Sequence, residues 1–374
     1  MKKIVLILLL VLSGCVTKKP PLDIVYPEDQ IDADMVAFPV INTLDMVMVG
    51  DTIVHSNVFY DAYKNGAYDF NDMLDLMKPI IEPYDLAFYN QETILGGTTL
   101  PITNYPNFNS PQEFGDAMLN AGFNLVSLAN NHTNDTGVKA IKLSDAYWKT
   151  KNDVITTGAY ITKEEADAVH VYTQNGISFG FLAYTYGING TYLAPENSFM
   201  IDMIDLAKME VEIKALRPLV DVLMVSVHFG TEYQNTPDAY QKKVVAKLAE
   251  WDVDIVIGNH AHAIQPITWI DNTLVYYALG NFLSGQDGTE RLIGLTSAIK
   301  ISKITYGTSS HIELTDLRVD LNFNYYNSNK RDIRIYPWDE VTTAILPNKD
   351  VWEAKYLKIV NSMGANITFG GTRK

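Results

Sequence analysis

The chain has 374 residues, 47% hydrophobic and 20% charged, which suits a globular protein built on one large domain with additions. Its formal charge of −15 and pI near 4.8 argue against nucleic acid as a partner and against charge-driven adhesion to anionic lipid. An anionic ligand stays compatible if cations in the site invert the local field. The single cysteine, Cys15, excludes an internal disulfide and a thiolate metal cluster.

The N-terminus reads as an address. Met1-Lys2-Lys3 is a basic start, Ile4 to Leu12 is an unbroken apolar run, and Ser13-Gly14-Cys15 follows. The run is too short for a permanent membrane span and fits the apolar core of a secretory signal. Small residues directly before a lone cysteine resemble the lipobox of bacterial lipoproteins. That resemblance implies a signal peptide over 1–14, cleavage before Cys15, lipidation of Cys15, and an extracytoplasmic protein held to a bacterial membrane by its lipid. Residues 15–43, rich at first in Pro, Lys and Asp without an amphipathic period, read as a tether.

From residue 44 onward, apolar strand-like runs alternate with helical patterns. Met46–Val49 predicts a strand ending at Gly50-Asp51, Asn71–Ile81 a helix, and Leu86–Tyr89 a strand ending at Asn90. Ser110-Pro111-Gln112-Glu113 has the form of a capping box opening a helix that stops near Gly122. Phe123–Leu128 predicts a strand ending at Ala129-Asn130-Asn131-His132, with a helix over 137–150. Asn175-Gly176 predicts a type I′ hairpin turn between runs 169–173 and 179–184. The Gly-x-Ser-x-Gly string at 176–180 therefore places Ser178 in a strand, not on a nucleophile elbow. Helices over 201–216 and 237–251 alternate with strands Val222–Val227, Val253–Ile257 and Leu274–Leu279. Residues after 300 read as a strand-rich extension closed by a helix over 350–363. Alternation of this kind implies a largely parallel or mixed sheet covered on both faces.

Polar residues collect at one end of these strands. Asp51, Asn90, Asn131, His132, His228, His260, His262 and Asn281 all lie just past the carboxyl end of an apolar run, the edge at which open α/β sheets bind ligands. His260 and His262, two apart, would face one side of an extended segment. Imidazoles with nearby carboxylates suit Zn²⁺, Mn²⁺ or Fe better than Ca²⁺.

Six segments, in order, carry a resemblance: Gly50-Asp51, Asn90-Gln91-Glu92-Thr93, Ser127 to His132, Val227 to Tyr233, Gly258 to His262, and Tyr277 to Phe282. Together they resemble the motif set of the CapA family, over residues 44–285. That family serves poly-γ-glutamate capsule synthesis or export and is related to calcineurin-like metallophosphoesterases. The resemblance implies a four-layer α/β/β/α metallophosphatase-like domain over 44–300 and one or two divalent transition-metal ions, Mn or Zn, with Fe as an alternative. It places Asp51 and His262 on one metal, Asn131, His228 and His260 on the other, Glu92 between them, and His132 as general acid. Asn90, Asn130, Glu232 and Asn281 would orient ligands or substrate. The partners implied are poly-γ-glutamate or a similar anionic polymer and the capsule synthase or export subunits.

Two departures matter. Related phosphoesterases begin Asp-x-His, but Asp51 is followed by Thr52 and Ile53, which leaves the number of metals open. His55 stands four residues on, as a substitute ligand or as a solvent-facing side chain. Glu92 replaces an Asp and adds one methylene of reach. Three functions stay open: hydrolysis on the polymer, hydrolysis of an unrelated small phosphoester, and a non-catalytic binding or export subunit.

Overall fold

The computed structural model describes residues 38–374. The signal peptide expected over 1–14, Cys15 and most of the expected tether lie outside the described residues. Among the described residues, no helix is long and apolar enough to cross a membrane.

Residues Pro39–Lys374 form one compact unit built on two sheets. The first contains β1 (Val40–Ile53), β2 (Leu86–Gln91), β3 (Leu125–Ser127) and β4 (Ile155–Thr157), all parallel. The second contains β5 (Tyr172–Gln174), β6 (Ile177–Thr185), β7 (Val222–His228), β8 (Ile255–Asn259), β9 (Ile267–Ile270) and β10 (Thr273–Tyr276), in the order β9-β10-β8-β7-β6-β5. The chain then returns to the first sheet. β11 (Asn281–Ser284) runs parallel to the end of β1, and β12 (Ile293–Tyr306), β13 (Ser309–Tyr325) and β14 (Arg334–Pro337) extend it antiparallel.

Strand alternation separates the layers. Met46 and Met48 of β1, Leu86 and Phe88 of β2, and Leu125 of β3 point inward. There they join Phe179, Phe181, Met224, Ile255, Ile257 and Tyr276 of the second sheet in one buried cluster. Their neighbours Val47, Val49, Ala87, Tyr89 and Val126 point the other way, onto helix α1 (Ser56–Ala62), the short helices over 71–81, α2 (Glu113–Asn120) and the end of α3 (Val138–Trp148). On the far side Leu223, Val225, Val227 and Val256 meet α4 (Leu206–Leu216) and α5 (Ala239–Glu250). The period of two along each strand thus gives helix, sheet, sheet, helix, the expected four-layer α/β/β/α architecture. A C-terminal helix, α6 (Lys349–Val360), buries Tyr356 and Val360 in the inter-sheet cluster.

Several element boundaries differ from the sequence reading. The helix over 71–81 is two four-residue pieces, Asn71–Leu74 and Lys78–Ile81; Pro79 in the second cannot donate into the preceding turn. No capping box forms at Ser110. Its hydroxyl donates to Thr93 Oγ1 at 2.9 Å, and α2 starts at Glu113. A capping box does form at Asp238 with Gln241, so α5 begins at Ala239, just past Pro237. Helix α4 begins at Leu206, where Asp205 caps it, while Ile201 instead bridges Ala159. Residues 40–43 belong to β1 and pair with β12, and residue 300 lies inside β12. The hairpin at Asn175-Gly176 forms as expected, with φ of 51° and 78°, and Ser178 is a strand residue whose hydroxyl donates to Asp221.

Candidate metal centre

The carboxyl ends of β1, β2 and β3 face those of β7 and β8 across the inter-sheet seam. In β1 the pairing register shifts between Met48 and Asp51 against β2, and again between Asp51 and Thr52 against β11. Such an irregularity re-aims one side chain, here Asp51. Gly50 allows the approach: its backbone lies so close to Gly280 that a Cβ there would stand 1.8 Å from the Gly280 carbonyl oxygen. Gly258 plays the same part in β8 against Tyr277, with a Cβ-to-carbonyl distance of 2.0 Å.

Donor atoms of Asp51, Glu92 and His262 come within 4.8 Å of one another, as do those of Glu92, His228 and His260. Glu92 is common to both groups. A third grouping joins the exposed Glu232 to His260 and His262. Asn131 enters through its Oδ1, 2.8 Å from His228 Nε2. The Asn90 amide bridges the sheets, 2.8 Å from Asp51 Oδ1 and 3.2 Å from His228 Nδ1. His262 Nδ1 meets Asp51 Oδ2 at 3.1 Å and Asn281 Oδ1 at 3.0 Å, so its Nε2 faces Glu92 Oε1 at 3.4 Å.

His260 and His262 reach the cluster differently from the extended pattern expected. Both have left-handed backbones, φ 85° and 49°, which costs conformational energy for non-glycine residues. The His260 amide donates to Asp51 Oδ2 at 3.1 Å, which helps to hold the turn. His55 lies apart from the three donor groups. Partly buried, its Nδ1 accepts from the Gly285 amide at 3.1 Å, and its ring stands edge-on to Phe108.

Burial sets the protonation of this cluster. It holds His228 far below the usual imidazole range and His260 down to about 3, each reinforced by a neighbouring imidazole, so both are neutral and free to ligate. Burial also lowers His262, but the Glu92 and Asp51 carboxylates outweigh it and raise the group to about 9. Glu92 is pushed well above the carboxylate range by burial. It is fully buried, and neither of its carboxylate oxygens has a hydrogen-bond partner; His260 Nδ1 is unpartnered too. Orphaned acceptors of this kind are costly in a protein interior, and a divalent cation satisfies them. The nitrogen and oxygen donor set fits such an ion.

His132 sits beside the cluster on the loop after β3. The Asn130 side chain braces that loop, accepting from the His132 amide at 2.9 Å and donating to Gln91 O at 2.7 Å. His132 Nδ1 lies 2.6 Å from Asp135 Oδ2, which also accepts from the Phe108 amide at 2.7 Å. Phe108 packs edge-on to the imidazole, and the Asn189 amide is 3.2 Å from Nδ1. Asp135 went unnoticed in the sequence, although His132-x-x-Asp135 spacing carried a signal. Asn189 and Tyr186, whose ring lies 4.6 Å from that of His260, carried none.

The molecule is therefore a four-layer α/β protein with a cluster of side chains that could hold a metal ion at the seam between its sheets. Residues 45–286 match the family described as bacterial capsule synthesis protein PGA_cap, and the chain belongs to that family. It is similar to the PGA biosynthesis protein CapA of Bacillus subtilis (strain 168), 23% identical over 66% of this chain and 65% of that protein. It is also similar to the capsule biosynthesis protein CapA of Bacillus anthracis, 25% identical over 66% of this chain and 61% of that protein. The chain thus spans less than two thirds of either relative's length. A solved 5'-nucleotidase from Candida albicans SC5314 aligns over 85% of this chain and 58% of its own, with 11% identity and a TM-score of 0.43.

Proposed function

We propose that the protein is a lipid-anchored, extracytoplasmic hydrolase of capsule-polymer biosynthesis or export, acting at a divalent-metal centre on an anionic polymer of the poly-γ-glutamate class. The observation that carries this reading is Glu92, an enclosed carboxylate without hydrogen bonds, shared by two groups of ligating side chains. Asp51, Glu92 and His262 would hold one ion, and Glu92, His228, His260 and Asn131 a second, with Mn or Zn the metals that suit these donors. When bound, such ions supply Lewis acidity and a water acidified enough to attack at neutral pH.

The remaining chemistry belongs to the chain. Hydrolysis adds water oxygen to the attacked carbonyl carbon or phosphorus and breaks the bond to the leaving group, which needs a proton. His132 would give one from Nε2; the contact of its Nδ1 with Asp135 Oδ2, which fixes the ring, supports this role. Tyr186 and Asn189 line the approach, and capsule synthase or export subunits would supply the polymer.

A non-catalytic, polymer-binding role is the second reading, favoured by Ile53 where related phosphoesterases carry a ligating histidine. The two separate on His132→Gln. With hydrolysis, that variant keeps its Mn or Zn by elemental analysis and loses turnover of γ-linked glutamate oligomers or p-nitrophenyl phosphate by about 100- to 10,000-fold. A wild type that binds the oligomer and turns over neither compound overturns the catalytic reading.

A further inference from the structure

Beyond the ligands, the mouth of the site holds a cation that the proposed chemistry has not used. Arg291 stacks its guanidinium 3.9 Å from the centre of the Tyr233 ring, and the same ring lies 6.0 Å from that of His262. Tyr233 therefore touches the metal-ligand cluster and the arginine together.

This arrangement is braced. The Tyr233 amide donates to Ala261 O at 2.7 Å, between the two clustered histidines, and Tyr233 keeps a left-handed φ of 62°. Its hydroxyl accepts from Gln286 Nε2 at 3.2 Å. Asn281, whose Oδ1 meets His262, donates through Nδ2 to Gln286 Oε1 at 3.0 Å and to the Arg291 carbonyl at 2.8 Å. One side chain thus sets both the histidine and the backbone that carries the arginine.

Among the described residues Arg291 makes no ion pair. Its single side-chain hydrogen bond goes to the Asp287 carbonyl at 3.2 Å, while the Asp287 carboxylate pairs with Lys330 at 2.6 Å. Glu232 and Glu290 stand nearby in sequence and are exposed. Arg331 and Arg334 likewise lack a carboxylate partner among the described residues, but Arg291 is the one whose backbone and aromatic platform are tied to His262 through Asn281 and Tyr233. A planar guanidinium on an aromatic face keeps its outer N–H edge available for a two-oxygen acceptor.

We propose that Arg291, on its Tyr233 platform, receives an oxyanion of the substrate adjoining the group held at the metal centre. This rests on the reading of the cluster as a substrate-handling metal site. A chain with an acid on every unit, such as γ-linked glutamate, offers a carboxylate beside each linkage; a polyphosphate offers the equivalent oxygens.

The test uses the full chain loaded with Mn²⁺ and two probes, a γ-linked glutamate hexamer and tripolyphosphate, titrated against wild type, Arg291→Gln and Arg291→Lys. Arg291→Gln should keep its metal and bind at least one probe about ten- to a hundred-fold more weakly, as expected for losing a charged hydrogen bond. Arg291→Lys should fall between, having the charge without the fork. Unchanged binding by Arg291→Gln, loss of metal from it, or failure of wild type to bind either probe overturns the assignment. If only tripolyphosphate binds, and needs Arg291, the oxyanion subsite stands and the glutamate-polymer reading fails.

Discussion

Replacing Gly50 by alanine should damage fold and metal centre together. The new methyl would stand 1.8 Å from the Gly280 carbonyl oxygen and 2.9 Å from its carbon. Ordinary contact needs about 3.5 Å, so one strand must retreat by roughly 1.5 Å. Neither partner can do so freely: the Asp51 amide donates to that same carbonyl at 2.9 Å, and the Asp51 carboxylate is tied to Asn90, His260 and His262. The cost belongs at the top of the overpacking range, about 3 kcal/mol. With an unfolding entropy of roughly 0.7 kcal/mol/K for a unit of this size, the melting temperature should fall about 4 °C. Scanning fluorimetry with and without Mn²⁺, followed by elemental analysis, reads both effects. Gly187→Ala is the control, since its Cβ meets nothing within 4 Å, and it should melt within about 1 °C of wild type. A Gly50→Ala protein that melts with the wild type and carries its full metal would refute the reasoning.

Removing metal with a chelator should lower the wild-type melting temperature by about 4 °C relative to protein held at a hundred times its dissociation constant. Glu92→Gln should lose most of that difference, because Glu92 is common to both donor groups; a full metal-dependent shift in the variant would count against a shared ligand. Burial lowers His55 to about 4, against an ordinary value of 6.5. The unfolded chain therefore takes up this proton first as pH falls, and stability contributed by neutral His55 should decline between pH 6.5 and about 4. Thermal melts of His55→Gln should show a shallower acid limb; an unchanged limb would show that the ring does not matter there. Cys15→Ser should abolish incorporation of labelled fatty acid in cells, and continued labelling would rule out Cys15 as the lipid attachment point.

Much of the fold was legible because strand periodicity is local. Alternation in Met46–Val49 and Leu86–Tyr89 already separates inward from outward residues, and Asn175-Gly176 specifies its own turn. The failures were places where tertiary contacts decide. Ser110 had a capping pattern but found Thr93, 17 residues away, as a better partner. The antiparallel strands after residue 300 join the first sheet, a pairing that no local pattern encodes. The candidate ligands stand out at strand ends, whereas Asp135, Asn189 and Arg291 are defined by what they touch. The extended geometry expected for His260 and His262 gave way to left-handed backbone, because Asp51 claims the His260 amide.

Asp51, Glu92 and Asn131 come from the first half of the sequence, and His228, His260 and His262 from the second. In space the two sets lie on opposite sheets, with the Asn90 amide spanning the gap between Asp51 and His228. A cation seated among them would act as a cross-link between distant parts of the chain, comparable in its effect on the unfolded state to closing a very long loop. Its loss would do more than empty a site. It would loosen the seam between the two sheets, so that amide exchange in β1 and β8 would be expected to accelerate together rather than separately.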